Sequence, residues 1–92
     1  MTVGFFATLR PIVGGKTLEV PFSDAMTVQA LIDHLTERIP GLRDAILDDA
    51  GLLSRRVHVF IDGRSAIYLE DGLETRLAPS QRVDIFPAVA GG

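Results

Sequence analysis

The residues with the clearest chemical potential are the last seven, Phe86, Pro87, Ala88, Val89, Ala90, Gly91 and Gly92. Gly91 and Gly92 have no side chains, so they can thread a narrow channel and take any backbone geometry imposed on them. The α-carboxyl group at Gly92 is ionised near neutral pH, and a carboxylate is a poor electrophile. Attack on ATP would convert it to an acyl-adenylate. A sulfur nucleophile would then give a thiocarboxylate, an amine an amide, and a thiol a thioester. A bulky side chain at 91 or 92 would obstruct each of these steps. The competing expectation is an ordinary frayed chain end.

Other candidate groups lack the partners that their chemistry needs. Gly14-Gly15-Lys16-Thr17 looks like the end of a phosphate-binding loop, but that loop needs a glycine where Arg10 stands. A turn is expected there instead. His34 has Glu37 three residues on, but a metal site needs more converging ligands, and a solvated helix face is expected. His58 alternates with apolar residues and has no evident partner. Asp48-Asp49 ahead of Gly51 lacks the ligand spacing of a calcium loop. No serine–histidine–acid set or paired carboxylates stand out. The chain offers no catalytic constellation of its own, which points away from an enzyme and towards the tail.

The bulk composition narrows the classes further. A chain of 92 residues, 47% of them hydrophobic and 23% charged, suits one small folded domain. It has no cysteine, which excludes disulfides, thiolate zinc sites, cysteine-ligated iron–sulfur clusters and a cysteine nucleophile. A net charge of −3 gives no electrostatic reason to expect nucleic acid. The opening MTVGFFATLR does not read as a signal peptide, and no apolar run is long enough to span a bilayer. A cytoplasmic protein is expected.

The elements that must position the tail follow from periodicity. Val3, Phe5, Ala7 and Leu9 alternate with Thr2, Gly4, Phe6 and Thr8, predicting a strand over 2–9 with Phe6 on its outer face. Arg10 and Pro11 are expected to close it, and Gly14-Gly15 to turn the chain into a second strand carrying Leu18 and Val20. Val28, Leu31, Ile32, Leu35 and Ile39 make one helical stripe, with Thr27 as N-cap, or Asp24 or Ser23 if the helix starts earlier, and Pro40 as its stop. A short helical turn is expected over 41–49, with Leu42, Ala45 and Ile46 inward. Val57, Val59 and Ile61 predict a third strand, and Asp62-Gly63 a turn. In the less regular 64–79 stretch, Ile67, Leu69, Leu73 and Leu77 are the expected core contacts. Val83 and Ile85 face inward on a last strand, and Phe86 faces outward. Pro87 cannot donate to a ladder, so the chain leaves the sheet there.

A hairpin, a long helix and two further strands predict an α+β fold of β-grasp (ubiquitin-like) type. The sheet would be mixed, of four to five strands, with one main helix across one face. The last strand would pair with the first at the centre. Residues 1–87 form the expected domain and 88–92 a flexible tail.

On these residues the chain resembles the MoaD/ThiS family of ubiquitin-like sulfur carriers along essentially its whole length. FFATLRP at 5–11 is similar to the family's first-strand pattern, and FPAVAGG at 86–92 to its tail. Within the family, the 8–16 segment (TLRP, then GGK), GLETRLA at 72–78 and the PAVAGG ending resemble the CysO-type carriers, which deliver sulfide for cysteine synthesis. The resemblance implies that an E1-like adenylyltransferase binds the carrier and ATP, adenylates Gly92 and supports formation of Gly92-COSH. An acceptor enzyme, cysteine-synthase-like or the large subunit of molybdopterin synthase, would then take the sulfur. The carrier would be a co-substrate with no bound cofactor or metal and no nucleic-acid or membrane partner. The implied partner surface is the apolar sheet face with Phe6 and Phe86, continued by Pro87, Ala88, Val89, Ala90 and Gly91. Arg10 joins it, for electrostatic contact or to pin the first loop. The alternatives are the small subunit of molybdopterin synthase and a ubiquitin-like modifier joined to lysines through Gly92.

Overall fold

The computed structural model describes residues 1–87. Five strands, β1 (Thr2–Phe5), β2 (Thr17–Glu19), β3 (His58–Ile61), β4 (Arg64–Ser65) and β5 (Val83–Phe86), form one sheet in the order β2-β1-β5-β3-β4. β1 and β5 are parallel, and the remaining pairs are antiparallel. Helices α1 (Leu9–Val13), α2 (Val28–Arg38) and α3 (Pro40–Ile46) complete the α+β architecture. The β-grasp arrangement with the last strand beside the first at the sheet centre is therefore present.

The core lies between one sheet face and the helices. Val3, Phe5, Val59, Ile61, Val83 and Ile85 from the strands meet Val28, Leu31, Ile32, Leu35, Leu42 and Ile46 from α2 and α3, all buried. This is the period-two and period-3.6 patterning expressed as one apolar layer. Thr27 caps α2 by accepting a hydrogen bond from the Ala30 N–H (3.1 Å). Thr27→Ala is expected to lower stability by about 1 kcal/mol, which thermal denaturation would register as a fall of roughly 4–8 °C. An unchanged midpoint would refute the cap's contribution. Pro40 ends α2 and opens α3 in the same stroke, because its fixed φ suits a first helical position.

Four expectations need correction. β1 stops at Phe5 and does not run to Leu9. Ala7 has φ 53° and breaks the extended run, so Leu9 reaches the core from a helix. Arg10 and Pro11 thus lie inside α1, where proline is tolerated because first-turn N–H groups have no helical acceptor. Arg64–Ser65 forms β4 across a turn with Asp62 at φ 50° and Gly63 at φ 83°. After it the chain enters a 3-10 turn, Ala66–Tyr68, which buries Ala66 and leaves Ile67 70% exposed; Ile67 is not a core contact. His34 is not on a fully solvated face. It is half-buried, and its Nε2 is shut from solvent without a hydrogen-bond partner among the described residues, because the buried stripe of α2 is broad enough to include Thr36.

Candidate functional site

Strand alternation divides the aromatic residues of the sheet between two faces. Phe5 points into the core and Phe6 away from it; Ile85 points in and Phe86 out; Val59 points in and Phe60 out. Parallel register places Phe5 beside Ile85, and antiparallel register places His58 opposite Phe86. The outward rings therefore meet. Phe6 and Phe86 stack with centroids 4.1 Å apart and planes 11° apart. Phe60 meets Phe86 edge-on at 5.2 Å and 81°. Both are favoured aromatic geometries, worth about 0.5–1.5 kcal/mol per pair.

Arg10 secures the other side of the cluster. Its Nε donates to the Phe5 carbonyl oxygen (2.8 Å), and its guanidinium carbon lies 5.1 Å from the Phe6 ring centroid. A cation over a partly solvated ring contributes about 0.5–1 kcal/mol. Arg10 thus pins the bend between β1 and α1 and holds Phe6 against Phe86. Phe6, Phe60, Phe86 and Pro87 are half-buried, since the rings shelter one another. The expected exposed pair is in fact a partly sheltered trio.

Further along the same face the surface becomes polar. Arg82 Nε donates to Asp84 Oδ1 (2.8 Å). These side chains lie over Gly4, where a Cβ would run into the Asp84 carboxylate and the Arg82 guanidinium. A side chain at Gly4 would have to displace this ion pair on the outer face of β1. The apolar part of the face is confined to the end where β5 finishes and Pro87 leaves the sheet.

Phe60 is the residue that sequence reasoning did not join to the site. Its signal was present, because it sits in the outward phase of β3, but only the β3–β5 register brings it to Phe86. His58 is exposed and tilted against Phe60 with centroids 6.4 Å apart. Ala88, Val89, Ala90, Gly91 and Gly92, together with the expectation of a flexible tail over 88–92, lie outside the described residues. Among the described residues, no three of His, Asp and Glu converge as metal ligands, and no helix is long and apolar enough to cross a membrane.

The trio has a measurable share in stability. Phe86→Ala removes both aromatic contacts but leaves the core face intact, so a loss of about 1–2 kcal/mol is expected in urea denaturation. A loss above about 4 kcal/mol would place Phe86 among the core residues instead.

The family model for the ThiS family matches residues 3–92. The chain is 36% identical over 88 residues to small archaeal modifier protein 3 of Haloferax volcanii, covering 96% of this chain and 94% of that protein. It is 32% identical over 94 residues to the sulfur carrier protein CysO of Mycobacterium tuberculosis, covering 100% of this chain and 98% of that protein. Among solved structures, it is similar to a chain of the Amycolatopsis orientalis BexX/CysO complex, with TM-score 0.78, 29% identity and coverage of 99% and 98%.

Proposed function

Since the chain belongs to the ThiS family, we propose that it is a sulfur carrier whose working group is the Gly92 carboxyl. The reading rests above all on the family match reaching residue 92, so that Gly91 and Gly92 fall within the shared region. In the first step the carboxylate oxygen attacks the α-phosphorus of ATP, expelling pyrophosphate and leaving the acyl-adenylate. A sulfide-level sulfur then attacks the acyl carbon, expels AMP and leaves the thiocarboxylate. The thiocarboxylate sulfur next attacks an electrophilic carbon held by the acceptor, displacing a leaving group or the π-electron pair of a double bond. Water then cleaves the acyl–sulfur bond, returning the carboxylate and leaving a thiol on that carbon. ATP is consumed by an E1-like activating partner, and this chain acts as co-substrate, not enzyme. A cysteine-synthase-like enzyme or the large subunit of molybdopterin synthase is the proposed class of acceptor, and the cytoplasm is the proposed setting.

The aromatic trio supports the reading as the docking platform. It is apolar, ordered by Arg10, and placed at the root of the tail. Side chains of this kind commonly carry a large part of binding energy at interfaces. A docked enzyme would hold the sheet end and draw the tail into its own active centre, where Gly91 and Gly92 present no steric barrier.

A second reading has an observation in its favour, the 36% identity to a small archaeal modifier protein. There the activated acyl carbon is attacked by a lysine amine and AMP leaves. The two readings share the first step and differ in the nucleophile. Intact-mass spectrometry of the protein incubated with an E1-like enzyme from the same genome, ATP and sulfide tests them together. Exchange of one oxygen for one sulfur supports the carrier. Amide adducts to lysines without that exchange support the modifier. The single lysine of this chain, Lys16, confines side-chain self-adducts to one position. The absence of either product, with a control carrier turned over by the same enzyme, would remove both readings.

A further inference from the structure

Three segments far apart in the chain meet at the sheet end where β5 finishes. Residues 6–16 follow β1 and lead into β2, and the Phe5 N–H donates to the Lys16 carbonyl oxygen (2.8 Å). Residues 54–58 form a turn, with the Val57 N–H donating to the Ser54 carbonyl oxygen (3.1 Å), and enter β3 with His58 opposite Phe86. Residues 86–87 carry the chain out of the sheet. Together these segments hold Arg10, Lys16, Arg55, Arg56 and His58 and no aspartate or glutamate. Lys16, Arg55 and Arg56 are exposed. Among the described residues, neither they nor Arg10 enter an ion pair.

The charge of the molecule is therefore split by topology. None of the 12 aspartates and glutamates falls within these three segments. With four of the 9 lysines and arginines gathered here, the rest of the chain keeps five against those 12 carboxylates, a side-chain balance of −7. The acidic residues nearest in sequence, Asp84, Glu19 and Asp62, have partners of their own: Asp84 pairs with Arg82, Glu19 with the N-terminal amine, and the Asp62 carboxylate accepts from the Arg82 N–H (2.9 Å). The Asp48 carboxylate already accepts hydrogen bonds from the Ala50 and Leu52 N–H groups (2.9 and 3.0 Å) and is committed to its own loop.

Chain geometry decides what such a rim can meet. Five residues past Pro87 reach up to about 17 Å, so phosphates at an extended Gly92 carboxyl would stand well beyond the rim. A surface facing the sheet end itself would lie directly against it. We propose that the Lys16, Arg10 and Arg55-Arg56 rim docks a carboxylate-lined protein surface that frames the tail's entry into the activating enzyme. This rests on the sulfur-carrier reading above. The rim acts at long range, since screening at 0.1 M salt sets in over about 10 Å, whereas the aromatic trio acts only at contact. The rim thus governs the rate of encounter and the orientation, and the trio governs the lifetime of the complex.

The test compares the full chain with two triple variants of equal charge change. K16E/R55E/R56E reverses the rim, and R38E/R64E/R76E reverses three exposed arginines elsewhere. Association with the E1-like enzyme from the same genome is followed by stopped flow at about 50 and 500 mM salt. The rim variant is expected to associate at least about tenfold more slowly at low salt, with the gap closing to about twofold at high salt. The control variant is expected to change less than about threefold. K16Q/R55Q/R56Q, which removes charge without adding it, should lie between wild type and the reversal, and circular dichroism verifies that every variant is folded. Equal slowing by both triple variants, or a gap that survives high salt, would overturn the proposal. Thiocarboxylate formation on the wild type, measured separately, isolates the underlying reading. A rim effect without any thiocarboxylate would sink the carrier and keep the rim. Normal thiocarboxylate with no rim effect would sink the rim alone.

Discussion

Deleting Gly92 is expected to abolish ATP-dependent thiocarboxylate formation while moving the thermal midpoint by less than about 3 °C. The proposed chemistry needs a carboxyl group that can be carried the full distance from the docked sheet to the phosphorus of ATP. Removing one residue shortens the tail by about 3.4 Å. That is larger than the tolerance of a displacement whose reacting atoms must approach to about 3 Å in line. The fold should be indifferent, because among the described residues the buried core runs from Val3 to Ile85 and is closed before Pro87. Intact-mass spectrometry and a melting curve on the same preparation make the comparison. Sulfur incorporation at an unchanged level would remove Gly92 as the working residue. A fall in midpoint of more than about 8 °C, equivalent to 1 kcal/mol or more in a domain of this size, would give the tail a structural role instead.

Phe5→Ala is expected to have the largest effect on stability, and Phe6→Ala, one residue on, a much smaller one. Phe5 is fully buried between the central strands and the helices, in register with Ile85. Truncating a buried phenylalanine removes its transfer free energy and leaves a cavity, a loss of about 3–5 kcal/mol. The whole domain is expected to hold only about 5–14 kcal/mol, so the variant should lose about a fifth or more of its stability and melt at least about 12 °C lower. Phe6 gives up one stacked ring and one cation contact on the outer face, together about 1–2 kcal/mol. Its main expected effect is on the partner, where loss of a central aromatic contact should weaken binding by about tenfold or more. Urea denaturation and titration with the activating enzyme separate the two. Equal destabilisation by both substitutions would contradict the division of the sheet into a core face and a docking face.

Some of this is written locally. The stripe from Val28 to Ile39, the cap at Thr27, the stop at Pro40, the turn at Asp62-Gly63 and the alternation over Val57–Ile61 and Val83–Phe86 each depend on neighbours within a few residues. Their side-chain spacing already contains the geometry of the element. The β-grasp order follows from the sequence of those elements. The double glycine tail and the absence of cysteine are likewise legible without coordinates.

Other features depended on contacts between distant segments. Alternation continued through Ala7 and Leu9, but Ala7 turned the chain out of the sheet and Leu9 filled the core from a helical turn. Periodicity cannot distinguish these outcomes, because both bury Leu9. Ala66 and not Ile67 went inward because a three-residue turn has no lasting period to read. His34 was drawn into the boundary of the core by the packing around α2. Phe6 and Phe86 were legible as an outward pair, but the place of Phe60 beside them and the basic rim were not, for the same reason. Phe6, Phe60 and Phe86, like Lys16, Arg10 and Arg55-Arg56, are scattered along the chain, and each alone reads as an outward residue. Parallel pairing of β1 with β5 and antiparallel pairing of β3 with β5 bring them to one end of the sheet. The sequence by itself determined which residues face away from the core; register, a non-local property set by the packing of the opposite face, decided which of them meet beside the root of the tail.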